Sequence, residues 1–371
     1  MKYLAVLGRQ PEISIAELEA TDFCTDISRL GGTLKLAIEL EQKPLEYLQR
    51  LPEGKVTIGV SDYSEKATRK SALDEALKLK KILVRHGRSV RVVENKDAVL
   101  STATSLHNGL SGKNERKVEL IKVENEWYRV IGVQDIEAYA RRDQARPARD
   151  AKVGMLPPKL AQILINLCGP LKPGTTVLDP FCGTGVVLQE ALLMGYKAYG
   201  TDINERMIEY ASKNLKWLFL GPLRSRLSLQ GSLANLLPLS QTTSKQPFQV
   251  SLGDATSFQW AQPIDAVACE TYLGKPFSKV PGEMELKEQK QECGAIILGF
   301  LKNLSGQIKK DTPVTIAIPA WLRESGNYER LDLLDEIEKL GYNVNNKTRE
   351  GLLYCREGQI VARDIIILRK N

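Results

Sequence analysis

One stretch decides the fold of this chain: Val177-Leu178-Asp179-Pro180-Phe181-Cys182-Gly183-Thr184-Gly185. An apolar pair followed by an acid predicts the end of a buried strand, and the apolar run that begins at Val186 predicts a helix directly after a glycine-rich turn. A ligand can approach the backbone of such a turn only if Gly183 and Gly185 carry no side chain. The free N–H groups that open the helix favour an anionic group such as a carboxylate. A purely structural strand-to-helix turn is the alternative interpretation.

Strands and helices alternate on both sides of this stretch. Further strands are expected at 197–201, 264–269 and 314–318, and helices at 157–168, 186–194, 205–217, 285–302 and 328–340. Residues 343–348 and 360–368 are expected to close the sheet as antiparallel strands, and the polar stretch 218–247 is expected to be a surface insertion. This alternation predicts an α/β fold with a mostly parallel, doubly wound sheet.

Two further acids follow the ends of expected strands. Asp202, roughly 20 residues past the glycines, stands where such folds bind ribose hydroxyls. It could instead cap the next helix, a role that Asn204 could also fill. Asp254, in Gly253-Asp254-Ala255, could accept a hydrogen bond from an adenine amino group, or it could simply form a turn.

The glycine pattern separates the nucleotide-binding classes. No Gly-Lys-Ser/Thr follows Gly185, which excludes a phosphate-binding P-loop, and the missing third glycine disfavours a dinucleotide. One adenosine with a charged amino-acid tail fits best, so S-adenosylmethionine is the predicted cofactor. The predicted cofactor residues are Asp179, Phe181, Gly183, Gly185, Asp202, Ile203, Asp254 and Ala255.

Composition narrows the remaining classes. The six cysteines form no CxxC pair and only two histidines are present, so we expect no metal site. The sequence has neither an apolar run long enough to span a membrane nor a secretory signal, and we therefore expect a cytoplasmic protein. The net charge of +7 is mild, and its distribution is more informative than its size.

Basic residues concentrate in two clusters. Ten lysines and arginines lie between Lys66 and Lys96 against three acids, and a second cluster runs from Arg141 to Lys159. Both could be solvated faces, but paired basic clusters beside a catalytic domain favour a polyanionic partner. The predicted RNA-binding residues are Lys78, Lys81, Arg85, Arg88, Arg142, Arg146 and Lys275, the last of which could equally belong to a solvated loop.

Several motifs resemble a known family. The strings Asp179–Gly185, Thr201–Asn204 and Gly253–Ala255 look like those of class I methyltransferases that modify exocyclic amines. The linker motif Arg142-Asp143-Gln144-Ala145-Arg146-Pro147, the segment Gly154-Met155-Leu156-Pro157-Pro158-Lys159-Leu160-Ala161-Gln162, and the segments Glu12–Ala20 and His107–Leu110 are similar to those of THUMP-domain tRNA guanosine-N2 methyltransferases that act at position 10.

The resemblance implies a domain organisation and a partner. Residues 1–135 would form an N-terminal α+β THUMP-containing domain that holds the tRNA, 136–156 a linker, and 157–371 a Rossmann-like class I methyltransferase domain. The implied reaction is methyl transfer from S-adenosylmethionine to guanosine N2 in tRNA. A small activator subunit is a further partner that the resemblance leaves open.

One motif departs from the family. Where the family has Asp-Pro-Pro-Tyr, this chain has Glu270-Thr271-Tyr272 after the strand at 264–269. The guanine N2 lone pair is delocalised, so the site must accept hydrogen bonds from the amine and stack the base. Glu270 is the expected acceptor and Tyr272 the expected aromatic face. The departure leaves two alternatives open: an RNA-binding relative without turnover, and an amino-methyltransferase that acts on another RNA or on DNA.

Overall fold

The computed structural model describes residues 1–150, 155–220, 247–346, 348 and 351–371. They divide into two compact units: Met1–Pro11 with Cys24–Ala140, and Glu12–Phe23 with Arg141–Asn371. The sequence placed the whole of 1–135 in the first domain, whereas residues 12–23 group with the second unit. No helix within these described ranges is long and apolar enough to cross a membrane.

The first unit is built on a six-stranded mixed sheet with the order β1-β2-β6-β5-β3-β4. Only the β3–β4 and β3–β5 pairs are parallel. The strands are β1 (Tyr3–Leu7), β2 (Thr33–Glu39), β3 (Val56–Asp62), β4 (Val90–Val92), β5 (Lys117–Val123) and β6 (Glu126–Val133). The helices are α2 (Pro44–Gln49), α3 (Arg69–Arg85) and α4 (Thr102–His107), with the first residues of α5 (Ile136–Gln144). This is the α+β arrangement that the sequence predicts.

Helix α3 carries the first basic cluster. Thr68 and Ser71 form a capping box at its start, in which each side chain bonds to the backbone N–H of the other. The face formed by Ala72, Ala76, Leu79 and Leu83 is buried, and it repeats at the spacing of an amphipathic helix. The basic side chains are therefore left on the opposite face.

A buried ion pair lies inside the first unit. Lys35 of β2 reaches over β6 to Glu119 of β5, and both side chains are almost fully buried. Oε1 of Glu119 also accepts a hydrogen bond from Ser61 at 2.6 Å, and its Oε2 accepts one from Ser105 at 2.6 Å. Both carboxylate oxygens are thus occupied, as a buried charge requires.

The second unit is built on a nine-stranded sheet. Its main path is β13-β15-β11-β10-β7-β8-β9, with β12 paired to β11 and β14 to β15. The strands are β7 (Thr176–Asp179), β8 (Lys197–Asp202), β9 (Phe248–Leu252), β10 (Ala266–Glu270), β11 (Pro313–Leu322), β12 (Tyr328–Arg330), β13 (Tyr342–Val344), β14 (Leu353–Tyr354) and β15 (Val361–Lys370). The neighbours from β9 to β11 pair in parallel and β15 runs antiparallel, which confirms the predicted α/β class.

Helices cover both faces of this sheet. They are α1 (Pro11–Ala20), α6 (Pro158–Asn166), α7 (Val186–Leu193), α8 (Glu205–Leu220), α9 (Glu283–Ser305) and α10 (Leu334–Lys339). Ala266 and Ala268 of β10 pack in one core cluster with α1, α6, α7 and α8, while Val267 and Cys269 pack in a second cluster with α9 and α10. Alternate residues of one strand thus face opposite layers, which is the doubly wound arrangement.

Some local predictions differ from the structure, and one cannot be compared with it. The stretch expected to be a helix at 328–340 begins as β12, because Tyr328 pairs with Leu322 of β11, and only Leu334–Lys339 is helical. Strand β9 was not anticipated beside the polar stretch. Of the expected insertion at 218–247, residues 221–246 lie outside the described part of the chain.

Candidate active site

The glycine turn joins β7 to α7 at the carboxyl edge of the sheet. Asp179 ends β7, and its Oδ1 accepts a hydrogen bond from the Phe181 N–H at 3.1 Å. Gly185 has a φ of 85° and precedes the first residue of α7, and a Cβ there would lie 3.2 Å from the Ala211 Cβ. A side chain at Gly185 would therefore be both strained and crowded, which explains why the turn needs glycine.

Asp202 ties the end of β8 to this turn. Its Oδ2 accepts from the Gly183 N–H at 2.9 Å and its Oδ1 from the Asn204 N–H at 2.9 Å. The start of α8 is capped by Asn204, whose Oδ1 accepts from the Arg206 N–H at 3.0 Å. Burial raises the pKa of Asp202, and the two backbone hydrogen bonds act in the opposite direction. The capping alternative thus falls to Asn204, and Asp202 belongs to the turn.

The adenine side of the predicted site is marked by exposed apolar residues. Ile203, directly after β8, is 73% exposed, and Leu252 at the end of β9 is 53% exposed. Asp254 accepts from the Thr256 N–H at 2.9 Å and from its hydroxyl at 2.8 Å, so its Oδ1 does form a local turn. Ala255 is buried, and its carbonyl accepts from Asn303. The cofactor roles of Ile203, Asp254 and Ala255 stay predictions.

Glu270 stands at the end of β10, next to β7. Its Oε1 accepts a hydrogen bond from Nε of Arg363 at 2.7 Å, and its side chain is 14% exposed. Burial raises the pKa of Glu270, and the Arg363 charge opposes that rise. Burial also raises the pKa of Asp179, and the negative charges of Asp202 and Glu270 add to the effect. Because β7 lies between β8 and β10, and Asp179, Asp202 and Glu270 are the last residues of these three parallel strands, the three carboxylates lie at one edge of the sheet.

The aromatic residues near Glu270 pack against the α9 layer. Tyr272 and Phe277 are half-buried against that core cluster, and Phe181 meets Phe300 edge-to-face with ring centroids 5.2 Å apart. Burial raises the pKa of Tyr272, and the nearby Glu292 charge raises it further. Tyr272 lies two residues after the acid, whereas the tyrosine of Asp-Pro-Pro-Tyr lies three after it. The stacking role of Tyr272 stays a prediction.

The predicted RNA-binding residues separate into two groups. Lys78, Lys81 and Arg85 on α3 and Lys275 in the second unit are exposed, with Lys78 paired to Glu75 at 2.9 Å. Arg88 is half-exposed, and its guanidinium donates to the carbonyls of Leu51 and Pro52. Among these residues the bases on α3 form the accessible basic face.

Arg142 and Arg146 require a correction. Arg142 is buried and holds both carboxylate oxygens of Glu190, at 2.7 and 3.1 Å. The Arg146 side chain is fully buried beside Thr184, with its Nη1 3.4 Å from the Thr184 hydroxyl. Guanidinium groups enclosed in this way do not reach a phosphate, so the prediction of RNA contact is wrong for these two residues.

The residues that follow the linker motif are instead connected to the glycine turn through helix α8. Asn214 of α8 donates to the carbonyls of Ala148 and Thr184 at 2.9 and 2.8 Å, and accepts from the Ala148 N–H. Asp150 pairs with Arg206. Sequence reasoning missed both Asn214 and Glu190, although a glutamate within the apolar helix Val186–Leu193 signals a buried partner.

Within the described part of the chain, no group of three or more His, Cys, Asp or Glu residues could hold a metal ion. Cys182 and Cys269 are buried next to the carboxylates, and burial raises the pKa of each thiol well above its ordinary value.

Two family models match the chain. One, described as a methyltransferase domain, matches residues 171–257, which include the glycine turn, Asp202 and Asp254. The matched residues that the structure describes belong to the second unit, with its doubly wound, mostly parallel sheet. The other, described as DNA methylase, matches residues 94–213.

Curated relatives match parts of the chain. The tRNA (guanine(10)-N2)-dimethyltransferase of Methanothermobacter thermautotrophicus is 47% identical over 76 residues, which are 20% of this chain and 22% of that protein. The protein of the same name from Methanocaldococcus jannaschii is 29% identical over 194 residues, 50% of this chain and 54% of that protein. The matched region thus spans about half the length of these relatives or less. The solved structure of TrmN from Thermus thermophilus aligns with 91% of this chain and 84% of its own, with 19% identity and a TM-score of 0.44.

Proposed function

We propose that this protein transfers a methyl group from S-adenosylmethionine to the exocyclic N2 of guanosine in tRNA, at position 10. The observation that carries the proposal is the grouping of the glycine turn, Asp179, Asp202 and Glu270 at the carboxyl ends of β7, β8 and β10. Ligands of open α/β sheets bind at this edge. The partial matches to tRNA (guanine(10)-N2)-dimethyltransferases support tRNA as the substrate class.

The residues present fit the cofactor. Of the described residues beyond its chain neighbours, only Phe181 comes near a Cβ placed at Gly183, with its carbonyl oxygen at 4.0 Å, so space is left for a ligand beside the turn. Gly185 lets the turn pack closely against Ala211 of α8. Asp202 would bind the ribose hydroxyls, the N–H groups that open α7 would face the methionine carboxylate, and the exposed face of Ile203 would cover the adenine. When bound, the cofactor supplies an electrophilic methyl group on a sulfonium.

Glu270 would prepare the attacking nitrogen. Its Oε1 is held by Arg363, and Oε2 would accept a hydrogen bond from the guanine amino group. This interaction draws the amine toward a tetrahedral geometry, in which its lone pair is less delocalised into the ring. Once the methyl group has been transferred, the nitrogen would release one proton to the Glu270 carboxylate, which would pass it to water.

The first unit would bind the tRNA. We propose that it contains the THUMP domain and contacts phosphates through the exposed bases of α3, since an exposed row of cations favours a polyanion. A tRNA-modifying enzyme of this kind would act in the cytoplasm.

A methyl-transfer assay tests the proposal. The purified full chain is incubated with tritiated S-adenosylmethionine and unmodified tRNA transcripts, and the nucleosides are separated after digestion. The expected product is label in N2-methylated guanosine. A matched transcript with inosine at position 10 lacks only the amino group and should take up no label at that position. Absence of label with every tRNA, despite measurable cofactor binding, would leave an RNA-binding protein without turnover. Activity of the chain alone would show that no activator subunit is required.

A second candidate is an amino-methyltransferase that acts on DNA. It is favoured by the DNA methylase model that matches residues 94–213, although that match ends before Glu270. Labelling of duplex DNA in the same assay, and displacement of bound tRNA by DNA at equal phosphate concentration, would support it. Label in tRNA alone would exclude it.

A further inference from the structure

We propose that Arg363 is a positioning residue for methyl transfer, which holds one oxygen of Glu270 so that the other faces the amine. This inference rests on the proposed function and names a residue of its site. Nε of Arg363 lies 2.7 Å from Oε1 of Glu270, and the Arg363 side chain is 7% exposed.

The sheet register makes this contact possible. Glu270 of β10 lies beside Ala317 of β11, and Arg363 of β15 lies beside Pro319 of the same strand. The guanidinium therefore reaches over β11 to the carboxylate. Because β15 is paired along nine residues of β11, the Arg363 backbone is fixed within the sheet.

The ion pair leaves one side of the carboxylate open. Among the described residues, Arg363 alone donates a hydrogen bond to the Glu270 side chain, and this bond is made to Oε1. The side chain retains 14% of its exposure, so Oε2 is the oxygen that a ligand can meet. A catalytic group has to be held within roughly 0.5 Å of its productive position, and Arg363 supplies that restraint.

Arg363 and Thr271 supply the rigidity that Glu270-Thr271-Tyr272 loses relative to Asp-Pro-Pro-Tyr. Glutamate has one more rotatable bond than the aspartate of Asp-Pro-Pro-Tyr, and the prolines that stiffen the backbone are missing. Thr271 holds the backbone instead, because its N–H and its hydroxyl both donate to the Ala317 carbonyl, at 3.0 and 3.2 Å. Arg363 then fixes the longer side chain.

Because Arg363 acts on the ionisation of Glu270, its effect on turnover should depend on pH. The titratable and charged groups that act on it or respond to it are Arg363 on β15, Asp179 on β7 and the Cys269 thiol on its own strand. Arg363 lowers the pKa of Glu270 against the effect of burial. Loss of Arg363 would therefore raise that pKa, so that the ionised acceptor is lost at a higher pH as the pH falls.

The experiment compares the wild type with Arg363→Met and Arg363→Lys. For each protein we would measure kcat and KM for tRNA as a function of pH, and Kd for S-adenosylmethionine. Arg363→Met should lower kcat by about 10²-fold, leave the cofactor Kd within a factor of three, and move the acidic limb of the kcat profile to higher pH. Arg363→Lys, which keeps the charge, should restore the wild-type position of that limb and part of kcat.

Arg369→Met is the matched control, because it removes an exposed arginine from the same strand. It should leave kcat and the pH profile unchanged. An equal loss of kcat at all pH values in Arg363→Met, or a limb in Arg363→Lys that moves as far as in Arg363→Met, would overturn the positioning role. If Arg363→Met does not fold, the position of the limb in Arg363→Lys decides. A wild type that transfers no methyl overturns the proposed function and this inference together, whereas an active wild type with unaltered Arg363 variants overturns the inference alone.

Discussion

Each unit contains a glutamate that meets a cation across one intervening strand, fully buried in the first unit and partly buried in the second. Glu119 meets Lys35 over β6, and Glu270 meets Arg363 over β11. Glu119 is closed, because Lys35 and Ser61 occupy one oxygen and Ser105 the other. Glu270 is open, with one oxygen bound and 14% of its surface exposed. Ion pairing alone therefore does not distinguish the two glutamates. They differ in whether an acceptor position is left for a ligand.

The closed pair should have the largest effect on folding. Lys35→Met leaves the Glu119 charge buried without a cation, and breaking a buried pair in this way destabilises by about 3–5 kcal/mol. Hydrogen–deuterium exchange of peptides from β2 and β5 measures the loss in the first unit alone. The double variant Lys35→Met/Glu119→Gln should recover part of it, since the amide carries no charge. Exchange in Lys35→Met equal to that of the wild type would show that the buried pair does not stabilise the first unit.

The open glutamate should affect turnover instead. Glu270→Gln keeps the shape of the side chain and removes its charge, and we expect kcat to fall by about 10²–10³-fold with little change in cofactor Kd. The matched variant Glu119→Gln should do the reverse, lowering stability of the first unit while kcat persists. Equal effects of the two substitutions on kcat would remove the distinction between the two sites.

A third carboxylate, Asp202, is an intermediate case. Each of its oxygens accepts a hydrogen bond from a backbone N–H, one of them from Gly183 in the glycine turn. The residue is nevertheless only partly buried. Asp202→Ala should weaken S-adenosylmethionine binding by about 10- to 100-fold, the scale of a charged hydrogen bond of ~1.5–3 kcal/mol. Asp202→Asn retains one acceptor and should lose less. Isothermal calorimetry with unchanged affinity in Asp202→Ala would contradict the ribose assignment.

The smallest effect is expected at an exposed charge on α3. Lys81 is exposed on α3, so Lys81→Ala should shift the free energy of unfolding by no more than about 0.5 kcal/mol. It should weaken binding to all tRNAs alike and reduce the slope of log Kd against log salt by about 1. Lys302→Ala, an exposed lysine of the second unit, is the control. Equal slopes for Lys81→Ala and the wild type would remove α3 from the tRNA-binding surface.

Local features could be predicted from sequence because their causes lie within a few residues. The glycine turn, β7 and β8 all follow from adjacent side chains. Asn204 takes the capping role that was the alternative for Asp202, and the ribose-binding role of Asp202 stays a prediction.

The remaining features depend on distant residues. No local pattern joins Glu270 to Arg363, or Lys35 to Glu119, because strand order decides which side chains meet. The burial of Arg142 and Arg146 could not be predicted for the same reason. Their partners Glu190 and Thr184 follow the linker and are distant from it in sequence. Basic residues that cluster in sequence form an exposed basic surface only where the fold does not bury them against a carboxylate.

The path of the chain also sets a time order. Arg363 follows Glu270 by 93 residues, and a ribosome adding ~5–20 residues per second takes on the order of 5–20 s to cover that distance. During this interval the growing chain contains Glu270 without Arg363, and β11 lacks the neighbour that β15 will become. The residues of the glycine turn are thus synthesised well before the ion pair at Glu270 can form.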